Sequence, residues 1–219
     1  MADEVKDWPT FIRANTRLLP PPLLPEIVLH LAEESLPIWR KTEEELGEMN
    51  VPPPYWAFAW AGGQAVSRWL LDNPARIAGR SVLDLGAGAG LAAIAALKAG
   101  ARSALCADID HVSLEACHLN AAANAVTLET TAADLLAAPP QPYDIVIVGD
   151  LFYERTLADN VLAYIDAAHS RTPAPLILIG DPQRSYFPQR RFEKLAEYSV
   201  PVTRELEDSE SKLTAVWRA

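Results

Sequence analysis

"VLDLGAGAG", Val82–Gly90, is a hydrophobic run that passes into alternating glycines and then into the alanine-rich stretch Leu91–Ala99. A strand, a glycine turn and a helix in that order form a nucleotide loop at the carboxyl end of a parallel sheet. Two nucleotides suit it, a dinucleotide such as NAD and S-adenosylmethionine (SAM). The dinucleotide fingerprint needs G-x-G-x-x-G. Here Gly86, Gly88 and Gly90 give G-x-G-x-G, and Leu91 stands where the third fingerprint glycine belongs. Asp84, two residues before the first glycine, separates the two further. A pyrophosphate gains nothing from a carboxylate there, whereas the cationic amino group of a methionine moiety donates a charge-assisted hydrogen bond to it.

Outward from this loop the pattern is regular. Strands are expected at Val82–Leu85, Ala104–Ala107, Leu128–Thr131, Ile145–Val148 and Leu176–Ile179, with helices at Leu91–Ala99, Val112–Asn124, Glu154–Ala168 and Arg190–Glu197. Such alternation means βαβ units and a parallel sheet covered on both faces. "SVPVTRELE" and "KLTAVWRA", parted by the polar turn Asp208–Ser211, read as a closing antiparallel hairpin. The expected fold class is therefore α/β, a Rossmann-like seven-strand sheet, mostly parallel, with an antiparallel C-terminal hairpin. "GGQAVSRWLLDNP" reads as a helix stopped by Pro74. Upstream, Thr10–Met49 is mixed, Ile27–Leu31 reads equally as strand or helix start, and "VPPPY" is a rigid connector. Residues 1–55 are taken as an N-terminal extension packing on the core, and 56–219 as the nucleotide-binding domain.

Bulk properties narrow the function. Half of the 219 residues are hydrophobic and the formal charge is −10. That charge repels polyanions, and the one dense basic run is Gln189-Arg190-Arg191, so nucleic acid is not an expected partner. The acidic N-terminus is not a signal peptide. Met49–Ser67 is uncharged but broken by prolines and glycines, so no membrane span is expected. Cys106 and Cys117 read as buried free thiols, and the chain as a cytoplasmic monomer. The four histidines lack metal-ligand spacing, no Cys–His pair suggests a nucleophile, and no metal is expected.

Carboxylates recur at the strand ends. Asp108, in "CADID", is placed to accept both ribose hydroxyls, and Asp110 to cap the next helix. Asp134, in "AADLL", is placed to accept from the adenine amine. With Asp84, Gly86 and Gly88 these form a SAM pocket. The fourth strand ends "VIVGDLFYE", which sets Asp150 and Tyr153 beside the transferable methyl. Methyltransferases of planar bases often carry Asp/Asn-Pro-Pro-Tyr there. Leu151-Phe152 replaces the prolines, so an aliphatic amine is the expected acceptor. Asp150 is a poor base for lysine, because reference pKa values near 3.9 and 10.4 leave proton abstraction poorly driven. Its expected role is to bind and aim the amine, with Tyr153 lining the channel and the proton leaving to water. Trp60 is a candidate wall of the pocket, while Trp56 reads equally as core. Asp181 and Arg184, in "LIGDPQRSYF", lie at the same sheet end and are candidate contacts for a protein substrate.

"VLDLGAGAG", "ADID", "YDIVIVGDLFYE" and "LIGDP" together resemble the seven-strand SAM-dependent protein lysine methyltransferases that carry Asp-x-x-Tyr. "PYWAFAWAGGQAVSRWLLDNP", with "GDLFYE" and "LIGDPQRSYF", is most similar to the electron-transfer-flavoprotein β-subunit lysine methyltransferases, from about Thr10 onward. The resemblance implies SAM as donor, S-adenosylhomocysteine (SAH) as product, and protein lysines as acceptors, with the flavoprotein β-subunit as partner. It gives Asp84, Gly86 and Gly88 to the methionine end, Asp108 to the ribose, Asp134 to the adenine, and Asp150 with Tyr153 to the lysine channel as the catalytic pair. Two positions depart from the family pattern: Ala61 replaces a proline and Glu154 an aspartate. Alternatives are a SAM methyltransferase of another protein or a small amine, a non-catalytic binding protein, and an NAD oxidoreductase.

Overall fold

The first strand of the nucleotide unit, β3 (Ser81–Leu85), is buried at all five positions, as a strand covered on both faces requires. Its side chains alternate between two cores. Val82 joins Ile145 and Ile147 on one face, while Leu83 and Leu85 join Val146 and Val148 on the other. In this computed structural model, which describes residues 7–32, 54–202 and 209–219, β3 is an interior strand, third in a seven-stranded sheet. The order is β5-β4-β3-β6-β7-β9-β8, with β4 (Ser103–Ala107), β5 (Glu129–Thr131), β6 (Ile145–Gly149), β7 (Leu176–Asp181), β8 (Glu193–Pro201) and β9 (Ser211–Arg218). Strands β3 to β7 run parallel, and β9 lies antiparallel between β7 and β8.

The chain fills the sheet outward from β3 in one direction and from β6 in the other. That reversal opens a crevice past the carboxyl ends of β3 and β6, where open α/β sheets bind ligands. One face is covered by α2 (Ala61–Asp72), α4 (Leu91–Lys98) and α5 (His111–Ala123), which contribute Val66, Leu70, Ile94 and Cys117 to its core. The other is covered by α6 (Arg155–His169) through Val161 and Ile165. Cys106 and Cys117 are free and buried, as read from their apolar surroundings.

Upstream, α1 (Trp8–Asn15) and the hairpin β1 (Arg17–Leu19)–β2 (Leu29–Leu31) pack on α5, so within Ile27–Leu31 the last three residues form a strand and Ile27 and Val28 lead into it. The anchors are amide side chains. Asn124 exchanges hydrogen bonds with both Val28 backbone groups, and Asn120 accepts from His30 N at 2.7 Å while donating to Ala89 O at 2.9 Å. Pro74 ends α2 but also opens a short helix, α3 (Pro74–Ile77), at a position where its missing N–H costs nothing. The connector Val51–Pro53, all of "SLPIWRKTEEELGEM" and residues 203–208 of the closing hairpin lie outside the described residues. Among the described residues no helix is long and apolar enough to cross a membrane.

One expected element is corrected. Arg190–Glu197 is not a helix: a single 3-10 turn at Gln189–Arg191 leads into β8, which begins at Glu193. "FEKLAEY" carries good helix formers, but β9 offers an eight-residue ladder, and tertiary pairing outweighs propensities of a few tenths of a kcal/mol per residue. Leu195, Ala196 and Tyr198 then pack against the α2 side of the core.

Candidate active site

Three left-handed residues build the loop after β3. Gly86, Gly88 and Gly90 have φ of +64°, +51° and +74°, a region that side-chain-bearing residues avoid. A cavity at the crevice is lined by this loop, by Asp84, by Trp60 and Gly63 from around the α2 N-terminus, and by Gly149 and Asp150 from the end of β6. Gly90, the N-cap of α4, has no side chain to cap with. Asp84 does that work from β3, its Oδ2 accepting from Ala93 N at 3.1 Å. Burial pushes the Asp84 carboxyl up to about 7, with Asp108 adding repulsion against the Ala93 bond. A buried carboxylate with Oδ1 still able to accept, at the wall of a cavity, fits a cationic amino group.

Asp108 accepts from Gly88 N at 2.9 Å and from Asp110 N at 3.0 Å, so it braces the glycine loop. Each oxygen keeps a lone pair for a hydroxyl. Burial raises its carboxyl above the ordinary range. Asp110 caps α5 through Val112 N, as expected. Asp134 is exposed and caps the 3-10 turn Leu135–Ala137 by accepting from Leu136 N at 3.1 Å. Neither Asp108 nor Asp134 is among the residues lining the cavity.

Around Asp150 the packing is unusually close. A Cβ on Gly62 would lie 2.1 Å from Gly180 O, and one on Gly180 would lie 2.0 Å from Gly62 O. The two glycines let α2 settle onto β7, and this brings Gly63 N to 2.9 Å from Asp150 Oδ2. Asp150 itself takes a left-handed φ of +58°, uncommon outside glycine, and is buried. Its Oδ1 receives Arg184 through Nη2 at 2.7 Å and Nε at 3.1 Å. The Arg184 guanidinium also stands 5.7 Å from the Trp60 ring centre.

The indole of Trp60 is fixed by its Nε1, which donates to Tyr55 O at 2.8 Å. Tyr153, half-exposed, faces Tyr55 with ring centres 6.2 Å apart, and Trp60 stands 6.1 Å from Tyr55. These rings place Tyr153 at an aromatic rim beside the cavity rather than in its lining. Trp56 is fully buried against Ile12, Val112 and Ala116, which resolves it as core. Glu154, where aspartate is the family expectation, caps α6 by accepting from Thr156 N and Leu157 N, so the longer carboxylate does that work.

Two residues of the site carry roles the sequence reading missed. Gln64, 1 % exposed, ties Ala59 O to Leu23 N and so staples the Trp60 segment to the N-terminal region. The Arg184–Asp150 pair joins residues 34 apart in sequence, a separation that local pattern does not bridge. Asp181 supports it: its Oδ1 accepts from Arg184 N at 2.7 Å, while Oδ2 is buried without a hydrogen-bond partner. Among the described residues no group of three or more His, Cys, Asp or Glu is placed to hold a metal.

Asp181 yields a stability prediction. Burial, with repulsion from Asp150, pushes its carboxyl up to about 7, against about 3.9 in an unfolded chain. The native state then holds the extra proton between those values, so stability falls as pH rises from about 4 to about 7, by at most about 4 kcal/mol. Asp181→Asn removes this dependence. Its stability relative to wild type, from urea melts at pH 5 and pH 8, is expected to be higher at pH 8. Equal differences at both pH values would show that Asp181 is ionised throughout.

The family model described as ribosomal protein L11 methyltransferase (PrmA) matches residues 69–163. The electron transfer flavoprotein beta subunit lysine methyltransferase of Xenopus laevis is 38% identical, over 95% of this chain and 85% of its own length. That of Homo sapiens is 36% identical over 94% and 80%. The chain belongs to the electron transfer flavoprotein β-subunit lysine methyltransferase family. It is a class I methyltransferase and its methyl donor is SAM. A solved structure of a candidate RNA methyltransferase from Pyrococcus horikoshii has the same fold, with a TM-score of 0.52 at 17% identity, covering 71% of this chain and 79% of that one. The segment most specific to the family resemblance, "WAFAWAGGQA", is the one that supplies Trp60, Gly62, Gly63 and Gln64 to the site.

Proposed function

We propose that this methyltransferase acts on lysine side chains of the electron transfer flavoprotein β-subunit, and that Asp150 and Tyr153 form the channel through which the lysine enters. The observation that carries the channel is the setting of Asp150, a buried carboxylate held on both oxygens in the lining of a cavity that Asp84 and the glycine loop also line. The names of the relatives support the substrate.

In this reading Asp84 binds the donor's amino group, Gly86 and Gly88 admit its methionine part, and Asp108 and Asp134 receive the ribose and adenine. When bound, the donor supplies an electrophilic methyl on a sulfonium. Asp150 accepts a hydrogen bond from the incoming amine and aims its lone pair. Trp60 and Tyr153 flank the lysine stem and exclude water, and the proton leaves to solvent. Holding lysine neutral at pH 7 costs about 4.6 kcal/mol, a cost the cationic surroundings reduce. Residues 1–55 serve as an N-terminal extension on the 56–219 catalytic domain. The protein is taken as a cytoplasmic monomer, and its net charge of −10 argues against nucleic acid as substrate.

The test is transfer of labelled methyl from SAM to purified electron transfer flavoprotein. The β-subunit is expected to take the label at lysine. Asp150→Ala is expected to lower the rate roughly 10- to 100-fold, the worth of one hydrogen bond to a charged group. Label on another protein would replace the substrate and keep the chemistry. Wild-type rate in Asp150→Ala would remove Asp150 from the channel.

A further inference from the structure

Methyl transfer to nitrogen needs the free amine, and a bare carboxylate in a buried site works against it by favouring the ammonium. Asp150 therefore poses a difficulty that its surroundings answer. Its Oδ1 carries both the Nη2 and Nε of Arg184, and its Oδ2 carries Gly63 N at the N-terminal end of α2, where the helix adds positive potential. The side chains of Arg184 and Asp150 are only 18% and 10% exposed, so water screens the pair weakly. The guanidinium also stands against Trp60, which lines the cavity with Asp150. Arg184 is itself held by Asp181 through its backbone N–H, and the loop closes with Phe187 N donating to Arg184 O.

We propose that Arg184 is a positioning residue for methyl transfer: by offsetting the charge of Asp150 it lets that carboxylate accept a hydrogen bond from lysine without holding the lysine as an ammonium. The inference rests on the reading of Asp150 as the amine's acceptor. The balance is simple. The entering ammonium gives one proton to water, the amine's lone pair forms the new nitrogen–carbon bond, and the carbon–sulfur pair goes to sulfur. The nitrogen emerges methylated and positive, ready to lose a second proton to solvent.

The other titratable groups facing this point are Asp181 on β7, Tyr153 and Glu154 after β6, Asp84 on β3, Asp108 after β4, and Tyr55 ahead of α2. Asp181 lies beside both partners and titrates near 7, so the comparison is made in the Asp181→Asn background as well as in wild type.

The experiment is the pH profile of kcat, at saturating SAM and saturating protein acceptor found by labelling, from pH 6 to 10 for wild type, Arg184→Gln, Arg184→Met and Arg184→Lys, since kcat reports ionisation of the lysine in the bound complex. Without the cation, the lysine gives up its proton less readily. Arg184→Gln and Arg184→Met are therefore expected to move the alkaline midpoint up by about one unit. They lose roughly tenfold at pH 7 and recover most of it near pH 10. Arg184→Lys keeps the wild-type midpoint, and SAH affinity stays unchanged in all three. A loss equal at every pH, or a midpoint that does not move, overturns the proposal and leaves Arg184 structural. Asp150→Asn separates the two readings. If it runs at the wild-type rate, the channel reading has failed. If it is impaired while the Arg184 midpoints stay put, only the present inference has failed. Should Arg184→Gln not fold, Arg184→Met, which keeps the stem over Trp60, decides.

Discussion

Asp84→Asn is expected to fold normally and to bind SAH about 100-fold more weakly than wild type. The asparagine oxygen still accepts from Ala93 N, the contact that caps α4, so the helix start is retained. What changes is the group offered to the cavity. A carboxylate oxygen becomes an amide N–H₂, which meets an ammonium as donor against donor. Loss of a charge-assisted hydrogen bond is worth about 1.5–3 kcal/mol, and the buried polar groups left unpaired add to it. A pH signature goes with this. The Asp84 carboxyl titrates near 7 because it is buried, and only its ionised form attracts the amino group. Affinity of wild type is therefore expected to rise about tenfold from pH 6 to pH 8, and that of Asp84→Asn to stay flat. The pH sense of stability is opposite. An acid whose native pKa is raised weakens the unliganded fold as pH rises toward 7, and the ligand's positive charge then restores what ionisation cost. Calorimetric titration with SAH at three pH values checks both statements. Unaltered affinity in Asp84→Asn would give the amino group another partner.

The elements nearest the nucleotide loop were the most legible in the sequence, and the reason is burial. Strands β3, β6 and β7 are covered on both faces, so their apolar runs stand out whatever the neighbours. Edge strands carry weaker pattern. At β8 only Val200 is fully buried, and the run "FEKLAEY" reads as a helix until β9 is there to pair with it. At the site, Asp84 and the glycines declared themselves because they are adjacent in sequence and their chemistry is local. Trp56 and Trp60 look alike in the sequence, and only the fold sends one to the core and the other to the cavity wall. Arg184 was visible as a charged residue at the right end of the sheet, but its pairing with Asp150 joins two loops that only the fold brings together, and the Gly63 bond to the same carboxylate depends on how far α2 sinks onto β7. No one-dimensional pattern encodes that distance.

That distance gives the second large effect. Gly180→Ala is expected to destabilise the protein by roughly 3 kcal/mol or more, the upper end of what overpacking a core costs. For a chain of this length the melting temperature falls by about 6–12 °C. The new Cβ would stand 2.0 Å from Gly62 O and 2.7 Å from Gly62 C, both backbone atoms of α2 that no rotamer change can move. The helix has to lift. As it does, Gly63 N leaves Asp150 Oδ2, and a buried carboxylate loses one of its partners. Stability and the channel are thus coupled through a single methyl group. Gly63→Ala supplies the contrast one residue along the same helix. A Cβ there meets nothing within 4 Å, the N–H that reaches Asp150 is kept, and alanine is the better helix former by about 1 kcal/mol. Gly63→Ala is accordingly expected to melt at or above the wild-type temperature. Thermal melts of the two variants beside wild type make the measurement. If Gly180→Ala melts with Gly63→Ala, the close seat of α2 on β7 is not what holds Asp150, and Arg184 must hold it alone.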